Sequence, residues 1–242
     1  MIALLSSVPE EGTLFIRQLK KKSVMAGKVV YEGRIHGKEV IYMVSGMGKV
    51  NAAHAATLLL EKFSPDKIIL FGVGGAYPSA GLSVGDIAVA EKEVYGDEGA
   101  QLKEGFQGAE FIGIPLVKRG RRRFFNEFPL DRKLVERAVE SSLRVTRYAS
   151  PVTDVKSGTF VTVSTCTGTK KKARELERRF GAICENMEGT AVAHICTLYG
   201  MPLMEIRGIS NIVEDRDKSK WDMKLAADNC QKAVLEFIKR NS

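Results

Sequence analysis

The chain has 242 residues, 44% hydrophobic and 27% charged, with a net charge of +8. That apolar share supplies a core and excludes a fully disordered chain. The most apolar long stretch, Ile68 to Ala90, is broken by five glycines, well short of the ~18–20 continuous apolar residues of a membrane-spanning helix.

The opening Met1 to Glu11 has no basic flank and an apolar run shorter than the ~7–15 residues of a signal-peptide core, so a cytoplasmic protein is expected. Positive charge concentrates in Lys20-Lys21-Lys22, Lys118-Arg119-Gly120-Arg121-Arg122-Arg123 and Lys170-Lys171-Lys172. Each run adjoins amphipathic sequence, and no zinc-finger, RNA-recognition or basic-zipper signature accompanies them. They read as solvated faces, with no nucleic-acid partner. Cys166, Cys184, Cys196 and Cys230 are 18, 12 and 34 positions apart with no C-x-x-C pair, and there are three histidines, which argues against structural zinc and a disulfide framework.

In chain order, Ile2 to Ser6 reads as a buried strand, and Pro9 with Glu10-Glu11 starts a helix carrying Leu14, Phe15 and Leu19 on one side. Val29 to Ile35 and Val40 to Val44 flank His36-Gly37-Lys38 as a hairpin. From Lys49 to Phe63 the period becomes helical through Val50, Ala53, Ala56, Leu60 and Phe63, and Ser64-Pro65-Asp66 ends it. Lys67 to Ala76 is a strand running into glycines, and Ile87 to Ala90 another. Residues 96 to 129, rich in Gly, charge and Phe, have no long period and are expected to form a loop or cap. Leu130 to Leu143 is a predicted helix, Ser157 to Ser164 a strand, Lys170 to Phe180 a surface helix, Met187 to Tyr199 a buried helix, Pro202 to Ile209 a strand, and Trp221 to Arg240 a terminal helix. This alternation predicts an α/β fold, one domain over residues 1–242 with a mixed central β-sheet flanked by helices.

Four constellations can carry chemistry. Gly72-Val73-Gly74-Gly75 brings backbone close to a flat ligand or simply ends a strand tightly; Tyr77 where the third glycine of a dinucleotide fingerprint belongs, and then Pro78, argue against a nicotinamide site. Gly168-Thr169-Lys170-Lys171 fails the phosphate-loop pattern. In Cys184-Glu185-Asn186-Met187-Glu188-Gly189 two carboxylates open an apolar helix, as cap or as catalyst. Glu205-Ile206-Arg207-Gly208-Ile209-Ser210-Asn211 ends a strand in polar residues, where ligand sites of open α/β sheets gather. Ser45-Gly46-Met47-Gly48-Lys49 makes a glycine-bracketed turn whose amides suit an anion or a ribose.

These motifs, in this order and spacing, with Val84-Gly85-Asp86-Ile87 and Asn186-Met187-Glu188-Gly189-Thr190-Ala191-Val192-Ala193-His194, resemble the purine nucleosidase and phosphorylase superfamily. The nearest resemblance is to methylthioadenosine/S-adenosylhomocysteine nucleosidases and, closer still, to the futalosine hydrolases of menaquinone biosynthesis, through Tyr77-Pro78, Ile206 to Asp217 and Ser219-Lys220-Trp221-Asp222. It covers the chain except residues 96–129. It implies a nucleoside phosphorylase-like fold, a small-molecule nucleoside as partner, no cofactor and no metal, and a homodimer or higher homo-oligomer.

The resemblance also implies roles. Glu11 matches the carboxylate that takes a proton from the attacking water, and Arg207 with Glu188 helps hold that water. Met187 and Glu188 match the ribose contacts. Phe160 and Val161 match the wall against the base, or are plain strand core, while Val73, Gly74 and Asn211 complete the base site. Glu10-Glu11 in the first loop would repel the phosphate dianion of a phosphorylase, which favours water as nucleophile. Adenine-specific members carry Asp where this chain has Asn211. An amide can donate to O6 and accept from protonated N7, whereas its NH₂ would meet the NH₂ of adenine. Such pairing can discriminate by ~10⁴-fold or more, so a hypoxanthine base and futalosine as substrate are expected. An amide cannot be the acid, so the N7 proton must come from elsewhere. One arginine of Arg119 to Arg123 is expected to pair with the carboxylate of futalosine's 5′ tail. The competing readings are a methylthioadenosine-type nucleosidase, an inosine phosphorylase, and a basic nucleic-acid binder without catalysis.

Overall fold

The computed structural model describes residues 1–146 and 153–240. The first strand, β1 (Ile2–Ser6), is buried along its whole length between two parallel neighbours, which explains its unbroken apolar run. A 3₁₀ turn, Pro9–Gly12, then leads into α1 (Thr13–Gln18). The predicted helix is thus split in two; Phe15 is buried, and Leu19 is buried just beyond the helix.

Strands β2 (Lys21–Met25), β3 (Lys28–Ile35) and β4 (Lys38–Val44) form an antiparallel meander. Its two turns, Ala26-Gly27 and His36-Gly37, have positive φ at both central residues, 46° and 77°, then 50° and 78°. These values suit the tight hairpin turns that match strand twist. Strand β2 was not foreseen because its lysines hide the pattern, yet Lys21 and Lys22 sit exposed on the edge strand, where charge blocks edge-to-edge association.

Helix α2 (Lys49–Phe63) has the predicted limits but a rotated buried face. Val50 is 84% exposed, while Ala56 and Leu60 are buried as predicted and are joined by Ala52, Ala55 and Leu59. Small alanines let α2 approach a neighbouring helix, and that contact rather than the larger apolar residues sets its face.

Strand β5 (Lys67–Ala76) runs beside β1, and β6 (Ile87–Tyr95) extends five residues beyond its predicted end. The segment expected as loop is largely structured. It holds a ribbon of β7 (Gly99–Leu102) and β8 (Gly105–Gly108), a turn of helix α3 (Ala109–Ile112), a second ribbon of β9 (Val117–Arg119) and β10 (Arg122–Phe124), and β11 (Glu127–Pro129), which joins the main sheet against β6. Strands of three residues are too short for a period to register; Phe128, fully buried, anchors β11.

After α4 (Arg132–Thr146), β12 (Val155–Thr162) and α5 (Lys170–Phe180) comes β13 (Ala182–Asn186), then α6 (Gly189–Tyr199), β14 (Leu203–Ile212) and α7 (Met223–Arg240). Strand β13 pairs parallel with β12 and antiparallel with β5, while β14 runs parallel to β5 and antiparallel to β6. With β12 also on β6, strands β5, β13, β12, β6 and β14 close a circuit. The remainder, β1, β4, β3 and β2, extends from β5 as an open sheet. Residues of α1, α4 and α7 cover one face, and α2 with α6 the other. This is the mixed α/β architecture predicted. No described helix is long and apolar enough to cross a membrane.

Candidate active site

Where β5 and β14 run side by side inside the closed circuit, their middle residues meet the 3₁₀ turn that follows β1. Glu11 sits in that turn, buried, with its carboxylate fixed by three amides. Oε2 accepts from the Ser7 and Val8 N–H groups at 2.9 and 3.2 Å, and Oε1 from Val73 N–H at 2.8 Å. A Cβ on Gly72 would collide with that carboxylate, so glycine here is a requirement of close approach. Burial pushes Glu11 above the ordinary carboxylate range, against the lowering effect of Arg207 and the amides.

Arg207, on β14, is 1% exposed. Its Nε donates to Glu205 Oε1 at 2.9 Å and its Nη1 to the Val73 carbonyl at 3.3 Å, while Nη1 lies 3.6 Å from Glu188 Oε2. The carboxylates Glu205, Glu188 and Glu11 all hold its pKa up. Glu188 is the residue before α6, and its Oε1 accepts from Gly48 N–H at 2.9 Å across the chain. The Ser45 to Lys49 turn therefore docks on Glu188 through an amide. Asn186 completes the entry to α6 by accepting from the Glu188 and Gly189 N–H groups at 3.0 and 2.7 Å. Glu11, Arg207 and Glu188 thus come together; Met187 precedes Glu188 in the chain, and its sulfur lies 3.2 Å from Cys166 Sγ.

Asn211 lies four residues beyond Arg207, past a register shift in β14. Its Oδ1 accepts from Ser210 Oγ at 2.8 Å, and its Nδ2 donates to the Ile212 carbonyl at 3.1 Å. The amide lines a small cavity of about 120 Å³ with Thr167, Arg216 and Trp221 among its walls. The Arg216 guanidinium sits 4.7 Å from the centre of the Trp221 ring. Glu185, buried on β13, holds the Thr167 side of that cavity. It accepts from Thr167 N–H at 2.9 Å, Thr167 Oγ1 at 2.6 Å and Tyr77 Oη at 3.0 Å.

The sequence assigns no role to Trp221, Thr167 or Glu205, and Glu185, expected with Glu188 at the start of a helix, lies on β13 instead. Trp221 is the sole tryptophan of the chain and falls in the Ser219-Lys220-Trp221-Asp222 motif, two signals that point to it without giving it a role. The other three depend on strand register that sequence does not display.

Val73 and Gly74 reach the site through backbone alone. Val73 binds Glu11 and Arg207, and the Gly74 carbonyl accepts from Ser210 Oγ at 3.2 Å. Phe160 and Val161 are both fully buried, in separate core clusters, so neither opens onto the Asn211 cavity. Their placement is that of strand core. The arginine run is also elsewhere. Arg119 packs against Gly200, the cap after α6, and with Arg122 lines a cleft of about 380 Å³. Helix α6, 11 residues long, places Arg119 at Gly200 roughly 16 Å from Glu188 at 1.5 Å rise per residue. Arg123 lines another cleft beside Phe106 and Phe111. Neither cleft is lined by Glu11, Glu188, Arg207 or Asn211, so within one chain the structure does not bring Arg119, Arg122 or Arg123 to those residues.

The arrangement offers a carboxylate fixed by amides, a buried guanidinium, and a second carboxylate at a helix start, with an amide-lined cavity further along one strand. It can orient a water, accept ribose hydroxyls and read the edge of a base. Known proteins carry the same frame. The Phosphorylase superfamily model matches residues 1–239. The futalosine hydrolase of Thermus thermophilus is 36% identical over 204 residues, 84% of this chain and 83% of that protein. The 5′-methylthioadenosine/S-adenosylhomocysteine nucleosidase of Bacillus pumilus is 31% identical over 244 residues, 99% of this chain and 98% of that protein. Among solved structures, the corresponding nucleosidase of S. pneumoniae with a transition-state inhibitor superposes with a TM-score of 0.82 at 23% identity, covering 100% of this chain and 99% of that one. The native futalosine hydrolase of Helicobacter pylori gives 0.80 at 23% identity, over 98% and 96%.

Proposed function

The chain belongs to the phosphorylase superfamily, and from that premise we propose that it hydrolyses the N-glycosidic bond of futalosine, releasing hypoxanthine and dehypoxanthinylfutalosine. Glu11 accepts the proton of a water whose oxygen adds to C1′ as the C1′–N9 bond breaks. A carboxylate has about four lone-pair sites, and three are taken by amides, so one remains for the water. Arg207 supplies the opposing positive charge, Glu188 accepts from the ribose hydroxyls, and Met187 packs on the sugar. Water rather than phosphate fits as nucleophile, because Glu11 and Glu188 flank the guanidinium on its open side and would repel a dianion.

Asn211 is the observation that carries the substrate. Its Oδ1 keeps a lone pair after accepting from Ser210, and its Nδ2 keeps one N–H after donating to Ile212. That pair complements a protonated N7 and an O6, and it opposes the exocyclic amine of adenine. Methylthioadenosine cleavage is the second reading, favoured by the nucleosidase relative at 31% identity over nearly the whole chain. Incubation with futalosine and with methylthioadenosine, followed by chromatography of the released base, separates the two. Hypoxanthine release is expected to be the faster, and Asn211→Asp to lose about 10²-fold or more on futalosine while gaining on the adenine nucleoside. Faster adenine release by the unmodified protein overturns the futalosine reading.

A second copy of the chain belongs to the same proposal. Met47 and Val50, 64% and 84% exposed, flank Gly48 and offer an apolar surface beside the ribose end. Sedimentation showing monomer alone would remove that part.

A further inference from the structure

Behind the groups that face the proposed substrate lie two more carboxylates, Glu93 on β6 and Glu205 on β14, both 0% exposed. Glu93 is crowded with donors. Its Oε2 accepts from the hydroxyls of Thr162 and Thr190, each at 2.7 Å, and its Oε1 from Asn186 Nδ2 at 2.6 Å. Glu205 accepts from Arg207 through Oε1, but its buried Oε2 receives no donor. The two carboxyl groups meet above Gly189, where an added Cβ would collide with Glu93 and lie 2.6 Å from Glu205 Oε2. They are within hydrogen-bond reach of each other. Two anions at that separation in a dry interior repel strongly, and one proton between them removes the repulsion and supplies the missing bond.

We propose that Glu205 is a positioning residue in its acid form, donating from Oε2 to an ionised Glu93 while its Oε1 holds the Arg207 guanidinium in place without neutralising it. Glu93 is the ionised member because its three other partners are neutral donors. Burial and the charge of Glu93 both drive Glu205 well above the carboxylate range. The consequence reaches the reaction, and here the inference rests on the functional reading above. A neutral Glu205 leaves Arg207's charge directed at Glu188 and Glu11, where it favours the ionised base. An ionised Glu205 would cancel that charge from behind. Other titratable groups around this centre are Tyr95 on β6, Cys184 and Glu185 on β13, Glu188 before α6, Glu11 in the 3₁₀ turn and Cys230 on α7. Burial raises the three of these that are thiols or phenol, so all three stay neutral near pH 7.

The test compares unmodified protein, Glu205→Gln and Glu205→Ala. Infrared difference spectra in D₂O at neutral pH are expected to show a protonated-carboxyl C=O band that Glu205→Gln removes. Glu205→Gln, which retains a donor for Glu93 and an acceptor for Arg207, is expected to keep kcat within about three-fold. Glu205→Ala, which frees the guanidinium, is expected to lose about 10²-fold in kcat with a smaller change in KM. As pH rises, the unmodified enzyme should lose activity when Glu205 deprotonates, and Glu205→Gln should lack that alkaline limb. Absence of a carboxyl band assignable to Glu205, or a Gln variant as impaired as Ala, overturns the proposal. Should Glu205→Ala not fold, the infrared band and the Gln pH profile decide. If no purine nucleoside is cleaved by the unmodified protein, the functional reading fails while the infrared spectrum still decides the proton's place.

Discussion

Replacing Glu11 with Gln changes one atom pair and little volume, yet it strikes both stability and chemistry. The native carboxylate accepts three backbone N–H groups through two oxygens. A Gln amide has one oxygen. Its best orientation keeps that oxygen on Ser7 and Val8 and turns the NH₂ toward the Val73 N–H, donor against donor. One partly buried amide is then left without an acceptor, a cost toward the lower end of about 1–3 kcal/mol. Against this, Gln avoids burying a charge, so the net destabilisation should fall in the lower part of that range. Activity falls further. Loss of a general base costs ~10²–10⁴-fold, and the neutral amide also gives up its attraction to Arg207. The measurement is kcat/KM for base release against pH, alongside thermal denaturation. Burial raises Glu11, so ionised base should be lost, and kcat/KM with it, as pH falls through a value above the ordinary carboxylate range. The stability linkage runs the opposite way: a carboxyl raised on folding contributes stability at low pH that fades as pH rises through the folded value. Glu11→Gln should abolish both dependences. A Gln variant retaining a tenth of the activity with the same acid limb would refute the assignment of Glu11 as base.

Gly72→Ala tests the close approach itself. The new methyl must displace the Glu11 carboxylate, so activity should fall by about 10²-fold, as expected for misplacing a reacting group by roughly 1 Å; near-native kcat would show the carboxylate to be mobile. Trp221→Ala removes the aromatic wall of the Asn211 cavity. Loss of a ring contact of about 0.5–1.5 kcal/mol predicts a rise in KM of about two- to ten-fold with kcat less affected, and an unchanged KM would remove Trp221 from the base site.

The long elements were legible because period and burial agree in them. Helices α2 and α5 were predicted with their observed limits, and the hairpin at His36-Gly37 followed from turn chemistry alone. What escaped was short or polar. Strand β13 has only five residues and ends in Glu185 and Asn186, both buried because one anchors Thr167 and the other caps α6. A buried polar strand end reads as the start of the following helix until its partners are known. The same blindness hid Glu205, read as one more residue of an apolar strand; Phe160, which the resemblance set against the base or else in the strand core, is packed in the core.

These misses share one cause, and it bears on how the site is built. Glu11, Arg207 and Glu188 come from three distant points of the chain and are brought together by backbone groups: the amides of Ser7, Val8, Gly48 and Val73, and the Val73 carbonyl. Backbone partners carry no side-chain signature, so sequence can show which residue types are present without showing what fixes them. The same feature makes the geometry resistant to surface substitution and sensitive to glycine. At Gly72 and Gly189 a single methyl would enter the space of a buried carboxylate, so the rigidity of the site resides as much in absent side chains as in those that face the substrate.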